Sequence, residues 1–111
     1  MGNQVYWNWE ADIKPGKLQE FKALAAKWTE IATKDPKTLF SNWTISESGD
    51  HVRVDQHFEN SAAGMAQYHV NHCWSELDDY LVPTSMIVCG DFDDDLDWLR
   101  SHGAVFMKPL L

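Results

Sequence analysis

His69 is the residue of this sequence best suited to move a proton. Helical spacing through Ala62, Met65, Ala66, His69, Val70, Cys73 and Leu77 predicts that it falls on an inward stripe, where a titratable imidazole is unusual. A core histidine hydrogen-bonded to a neighbour is the ordinary alternative. Trp9, Trp28 and Trp43 have the flat, apolar surfaces that wall a slot for a planar molecule, and they serve equally well as core. Tyr68 and Gln56 can position a hydroxyl group, with packing roles open to both.

Metal chemistry is less well supplied. His69, His72 and Glu76 follow i, i+3, i+7 spacing, but no second cluster completes a ligand set unless His57 or Asp55 approaches, so no metal site is expected. Asp91, Asp93, Asp95 and Asp97 alternate like the opening of a calcium-binding loop. Leu96 stands where that loop needs glycine, however, and His102 where it needs a bidentate glutamate. Negative charge at the start of a helix accounts for the run more simply.

The elements that must position these groups follow from the hydrophobic periods. From Val5 to Ile13 the odd positions are apolar (Val5, Trp7, Trp9, Ala11, Ile13) and the even ones mostly polar, the alternation of a half-buried strand. Leu18, Phe21, Leu24, Ala25, Trp28, Ile31 and Ala32 then recur at helical spacing as far as about Lys34. Leu39 to Ser46 and His51 to Phe58 read as a hairpin around Glu47-Ser48-Gly49-Asp50. A second helix capped by Asn60 or Ser61 is expected to run to about Leu77, with Gly64 weakening it. Pro83 should end the helical stretch, and Thr84 to Phe92 should form a buried fourth strand. An appendix follows, with a short helix from about Asp94 to His102, Gly103 as its cap, and a short strand, Ala104 to Met107.

The order strand, helix, strand, strand, helix, strand defines an α+β, ferredoxin-like βαββαβ fold with an antiparallel sheet. If Trp7, Trp9, Val52 and Val54 face the helices, the other sheet face carries Tyr6, Asn8, Glu10, Phe40, Asn42, Thr44, Arg53, Asp55, His57, Ile87 and Cys89. That mixture is too apolar for a solvated face and too polar for a monomer core. Arg53, Asp55 and His57 are therefore expected to form an ion-pair network at a dimer interface.

The 111 residues suffice for one domain with a core of its own, and the apolar content of 44% agrees. Seventeen acidic against nine basic residues give a formal charge of −8, which argues against nucleic acid and anionic membrane surfaces as partners. The first residues lack the charged and apolar regions of a signal peptide, so a cytoplasmic location is the default expectation. Cys73 and Cys89 have no metal-type spacing and read as small buried hydrophobes.

Four stretches carry a family likeness. Ile13-Lys-Pro-Gly-Lys-Leu-Gln-Glu-Phe21, Thr38-Leu-Phe-Ser-Asn-Trp-Thr-Ile45, Val52-Arg-Val-Asp-Gln-His-Phe-Glu-Asn-Ser-Ala-Ala63 and the strand ending Val88-Cys-Gly-Asp91 together resemble the antibiotic biosynthesis monooxygenase (ABM) domain of the dimeric α/β-barrel superfamily. The likeness covers about residues 4 to 92, leaving 93–111 as an appendix to a single domain. It implies a homodimer whose sheets face each other as a barrel, and a cleft in each subunit between sheet and helices. It further implies oxygenation of a small aromatic substrate, a phenol or quinol, without a cofactor. Trp9, Trp28, Trp43, Gln56 and Tyr68 would bind that substrate and His69 would act as base. In the haem-degrading branch an asparagine stands where Trp9 stands here, and a tryptophan where Gln67 stands, so haem degradation is not carried over. A small-molecule-binding module or a structural homodimer of the same fold is the alternative to an enzyme. The acidic run generates a separate expectation. Titration calorimetry should detect no sub-millimolar calcium binding, and binding abolished by Asp93→Asn would overturn that reading.

Overall fold

The computed structural model describes residues 4–70 and 74–111, and within these the side chains of all but 68–70, 74 and 75. The strands are β1 (Val5–Ile13), β2 (Thr38–Ile45), β3 (His51–Phe58), β4 (Leu81–Gly90) and β5 (Val105–Met107), and the helices α1 (Leu18–Lys34), α2 (Ser61–Val70) and α3 (Trp74–Leu77). A 3-10 helix, Asp94–His102, joins β4 to β5. One sheet holds all five strands in the order β2-β3-β1-β4-β5, the ferredoxin-like arrangement that the periods predict. Its first four strands pair antiparallel, and β5 adds to β4 in parallel. The sheet is therefore mixed at one edge.

The alternation in β1 is realised in full. Val5, Trp7, Trp9 and Ala11 are buried against Val52, Val54 and Phe58 of β3 and Met86 and Val88 of β4. The stripe of α1 closes over them, with Phe21, Trp28 and Ala32 buried and Leu18, Leu24, Ala25 and Ile31 half-buried. Leu96 and Leu99 of the 3-10 helix complete this core. Asp93 caps that helix by accepting the Asp95 N–H at 2.9 Å, and Gly103 ends it in the left-handed conformation at φ 85°. Negative charge thus gathers where the helix dipole is positive.

Two features depart from expectation. β4 begins at Leu81 and passes through Pro83, because the ladder to β1 carries a bulge between Glu10 and Ala11 opposite that proline. A residue without an N–H is tolerated where the ladder is already broken. Helical backbone is also found at Trp74–Leu77, α3, so the described residues are helical up to the expected end at Leu77, with 71–73 lying outside them. The second departure is the phase of α2: Ala63, Gly64 and Gln67 are buried, whereas Ala62 and Ala66 are exposed. Small alanines fit either face, so the sequence pattern left the helix rotation underdetermined.

Gly64 has a packing reason. A Cβ there would lie 3.0 Å and 3.1 Å from Cζ3 and Cη2 of Trp7 and 3.4 Å from Cδ2 of Phe58, so α2 reaches the sheet through its one residue without a side chain. Trp7 is only 3% exposed and has no free space to give. Replacing a helix-interior glycine by alanine ordinarily gains about 1 kcal/mol. Here overpacking, at roughly 1–3 kcal/mol, should outweigh that gain. Gly64→Ala should therefore lower the denaturation midpoint in urea, and a variant as stable as the parent would show that Trp7 does not fix the approach of α2.

Candidate functional site

Because β1, β2 and β3 alternate in register, their inward residues line up in rungs across the sheet. One rung is Trp9, Val54 and Trp43; the next is Trp7, Gln56 and Ser41. The first is aromatic and the second polar.

In the aromatic rung Trp43 is the hub. Its ring lies 6.2 Å from Trp9 at 85°, 5.2 Å from Phe21 at 73° and 6.2 Å from Trp28 at 34°. These are edge-to-face and tilted contacts of the kind aromatic rings prefer. The three expected tryptophans therefore meet, with Trp9 and Trp28 buried and Trp43 half-buried. Much of their surface is already spent on one another and on α1.

The polar rung ties an indole to an amide. Trp7 Nε1–H donates to Gln56 Oε1 at 2.8 Å, and Gln56 Nε2 donates to Ser41 Oγ at 3.2 Å. Gln56 thus lies on the helix-facing side as expected, but its carboxamide is engaged at both ends. A buried indole N–H without an acceptor costs roughly 1–3 kcal/mol, which gives the glutamine a structural role of its own.

A second polar group joins α2 to the start of β2. Gln67 is buried, and its Nε2 donates to Asp35 Oδ2 at 2.9 Å. Thr38 Oγ1 donates to the same oxygen at 2.8 Å, and the Lys37 N–H reaches Oδ1 at 3.1 Å. Desolvation is the largest influence on Asp35 and raises its pKa. The hydrogen bonds from Gln67, Lys37 and Thr38 together outweigh it, leaving the carboxyl below its ordinary value. Asp35 is thereby held as an acceptor anion and makes a poor proton acceptor. Gln67 is singled out in the sequence only by its register, and its inward direction follows from the rotation that sets Gly64 against Trp7.

The backbone of α2 carries Tyr68 and His69, and the side chains of both lie outside the described residues. The stripe on which His69 was placed has shifted: its buried polar member is Gln67. His72 and Cys73 also lie outside the described residues. A cavity of about 320 Å³ opens at the start of α2, between Asn60, Ser61 and Ala62 on one side and Asp91, Phe92 and Asp93 on the other. None of the residues singled out for substrate lines it.

The opposite sheet face is open. Along it run Phe40, His57, Tyr6, Cys89 and Met107 in one rung, Asn42, Asp55, Asn8, Ile87 and Val105 in the next, and Thr44, Arg53, Glu10 and Ser85 beyond. Cys89 is half-buried on this face with its thiol free, which corrects its reading as a core residue. Arg53 grips Asp55 at 2.9–3.1 Å and reaches Glu10 at 3.7 Å. His57 does not join that network as expected. Its ring packs 5.5 Å from Tyr6, and its Nε2 meets Gln4 Oε1 at 2.9 Å. His51 joins instead, between Glu10 and Asp12.

No family model and no curated protein sequence matches this chain. Solved structures do. MupZ from Pseudomonas fluorescens superposes with a TM-score of 0.85 at 18% identity, over 100% of this chain and 88% of that one. A protein described as a "putative antibiotic biosynthesis monooxygenase" from Nitrosomonas europaea gives 0.71 at 14%, over 81% and 91%. SnoaB of Streptomyces nogalater, described as a cofactor-independent oxygenase, gives 0.65 at 10% over 78% and 90%, in its N63A mutant. This chain therefore shares the fold of solved structures described as antibiotic biosynthesis monooxygenases.

Proposed function

We propose that this protein is a cofactor-independent oxygenase of a small phenol or quinol, acting as a homodimer. The observation that carries the reading is the shared fold with SnoaB and the ABM protein, together with the aromatic rung on the helix-facing side of the sheet. In this reading Trp9, Trp28 and Trp43 form an apolar wall for a flat ring, Gln56 and Tyr68 orient its hydroxyl group, and His69 takes the phenolic proton. The phenolate, more electron-rich than the phenol, then reduces dioxygen. For a phenol with a free para C–H the balance is phenol plus O₂ giving quinone plus water: four electrons leave the ring and four reduce dioxygen, whose oxygen atoms end one in each product. A dry cleft would keep the intermediates from hydrolysis.

The dimer reading rests on the open face. Tyr6, Phe40, Val82, Val105 and Met107 are each about half exposed there. The acids and bases of the same face pair among themselves, Arg53 with Asp55 and Glu10, and His51 with Glu10 and Asp12. Exposed apolar side chains beside internally paired charges suit a second copy of the same surface related by a two-fold axis.

One observation favours the binding-module or structural alternative: Trp9 and Trp28 are already buried against Trp43 and α1. Oxygen consumption with a panel of quinols and polyphenols decides between the readings. At least one compound should be oxidised without added metal or flavin, and His69→Ala should slow that reaction about a hundredfold, the loss expected of a general base. Unchanged uptake in His69→Ala would remove His69 from the chemistry. Tight binding of an aromatic compound with no uptake would make the protein a binding module. Light scattering at micromolar concentration should show a dimer, and Arg53→Glu, which sets three carboxylates together, should weaken it at least about tenfold. A monomer in the parent protein would overturn the dimer.

A further inference from the structure

Both ring nitrogens of His51 face carboxylates. Nδ1 lies 2.7 Å from Asp12 Oδ1 and Nε2 lies 2.8 Å from Glu10 Oε1. A neutral imidazole has one N–H, so it can donate to one of these oxygens while its other nitrogen turns a lone pair on the second. Two hydrogen bonds to two ionised carboxylates require the imidazolium. The geometry is that of a charged histidine, built by strand pairing that sets His51 of β3 opposite Asp12 of β1, beside the Arg53–Glu10 pair.

We propose that association through the open sheet face is proton-linked and that His51 carries the proton: the dimer is tight while the imidazole is charged and loosens as it becomes neutral. The inference rests on the homodimer reading above. On the isolated face, water solvates whichever carboxylate the neutral ring releases, and an exposed ion pair contributes little. Against a second copy that water is gone, and a carboxylate left without a partner is costly.

The other charges around the ring do not relieve this. From its own strand Arg53 faces it, but that guanidinium is committed to Asp55 and reaches Glu10 only at 3.7 Å. Asp50, in the adjoining turn, accepts hydrogen bonds from Ser46 and Ser48. From β1 come Glu10 and Asp12 themselves, and the β2 side offers the neutral Ser46, whose Oγ accepts the backbone N–H of His51 rather than a ring N–H. Among these neighbours the hydrogen bond to Asp12 raises the His51 pKa most, followed by that to Glu10, while desolvation opposes them. Within one subunit, the raised pKa means that the charged contacts are fully present below the unfolded-state pKa and are lost as pH rises through the folded-state value. For association the sign comes from the desolvated carboxylates, which favour the charged ring more in the dimer than in the free subunit.

The experiment is sedimentation equilibrium from pH 6 to pH 9 at constant ionic strength, with far-UV circular dichroism on the same samples to separate dissociation from unfolding. Above the pKa of the free subunit, the dissociation constant should rise by about tenfold per pH unit for each histidine that titrates, up to about a hundredfold for the two in a dimer. His51→Gln should flatten that slope and His57→Gln should leave it intact. Glu10→Gln gives a second route. It leaves Asp12 to accept from a neutral ring, so the slope should fall although the histidine remains. A dimer whose dissociation constant ignores pH overturns proton linkage and leaves the dimer standing, whereas an unchanged slope in both His51→Gln and Glu10→Gln takes the proton away from His51 and overturns its role. A monomer at every pH overturns both readings.

Discussion

The indole N–H of Trp7 is the constraint from which the helix-facing side of this protein follows. Placing the largest side chain at the centre of a four-strand rung buries apolar area on the scale of a few kcal/mol, but it also withdraws an indole donor from solvent. Gln56, directly opposite on β3, supplies the acceptor, and Ser41 on β2 then accepts from the glutamine amide. A ring tethered in this way cannot turn aside. The helix above it must cross at a residue with no side chain, which is Gly64. The rotation that brings Gly64 down also brings Ala63 and Gln67 inward, and Gln67 closes on Asp35 at the junction of α1 and β2.

The aromatic rung beside it obeys a different logic. Trp9, Trp28, Trp43 and Phe21 come from three elements far apart in sequence and satisfy each other by edge and tilt. Such a cluster is rigid and polarisable, and both properties serve a wall for a planar substrate as well as they serve a core. What distinguishes the uses is whether a group able to move a proton stands beside that wall.

On the opposite face the same strand register arranges charge. Period 2 sends the polar members of β1 and β3 outward together, so Glu10 and Asp12 meet His51 and Arg53 as unavoidably as Trp7 meets Gln56. One sheet face is committed to helices, and the other carries paired charges among half-exposed Tyr6, Phe40, Val105 and Met107, the surface on which the proposed dimer rests.

Period-2 alternation and helical spacing determined the element order, the hairpin, the burial of Val5, Trp7, Trp9 and Ala11, and the stripe of α1, because each depends on side chains within one element. The left-handed cap at Gly103 was legible for the same reason: its signal is local. The rotation of α2 was not, since Ala62, Ala63 and Ala66 satisfy either face and only the Trp7 ring beneath chooses between them. Nor was the course of β4 through Pro83, which depends on a bulge in its pairing with another strand. The polar contacts of Gln67 and His51 were not legible, because their partners, Asp35 in one case and Glu10 with Asp12 in the other, lie more than thirty residues away. Sequence fixes what an element must bury; which polar groups meet there is decided by register and helix rotation, quantities that exist only once the elements are packed.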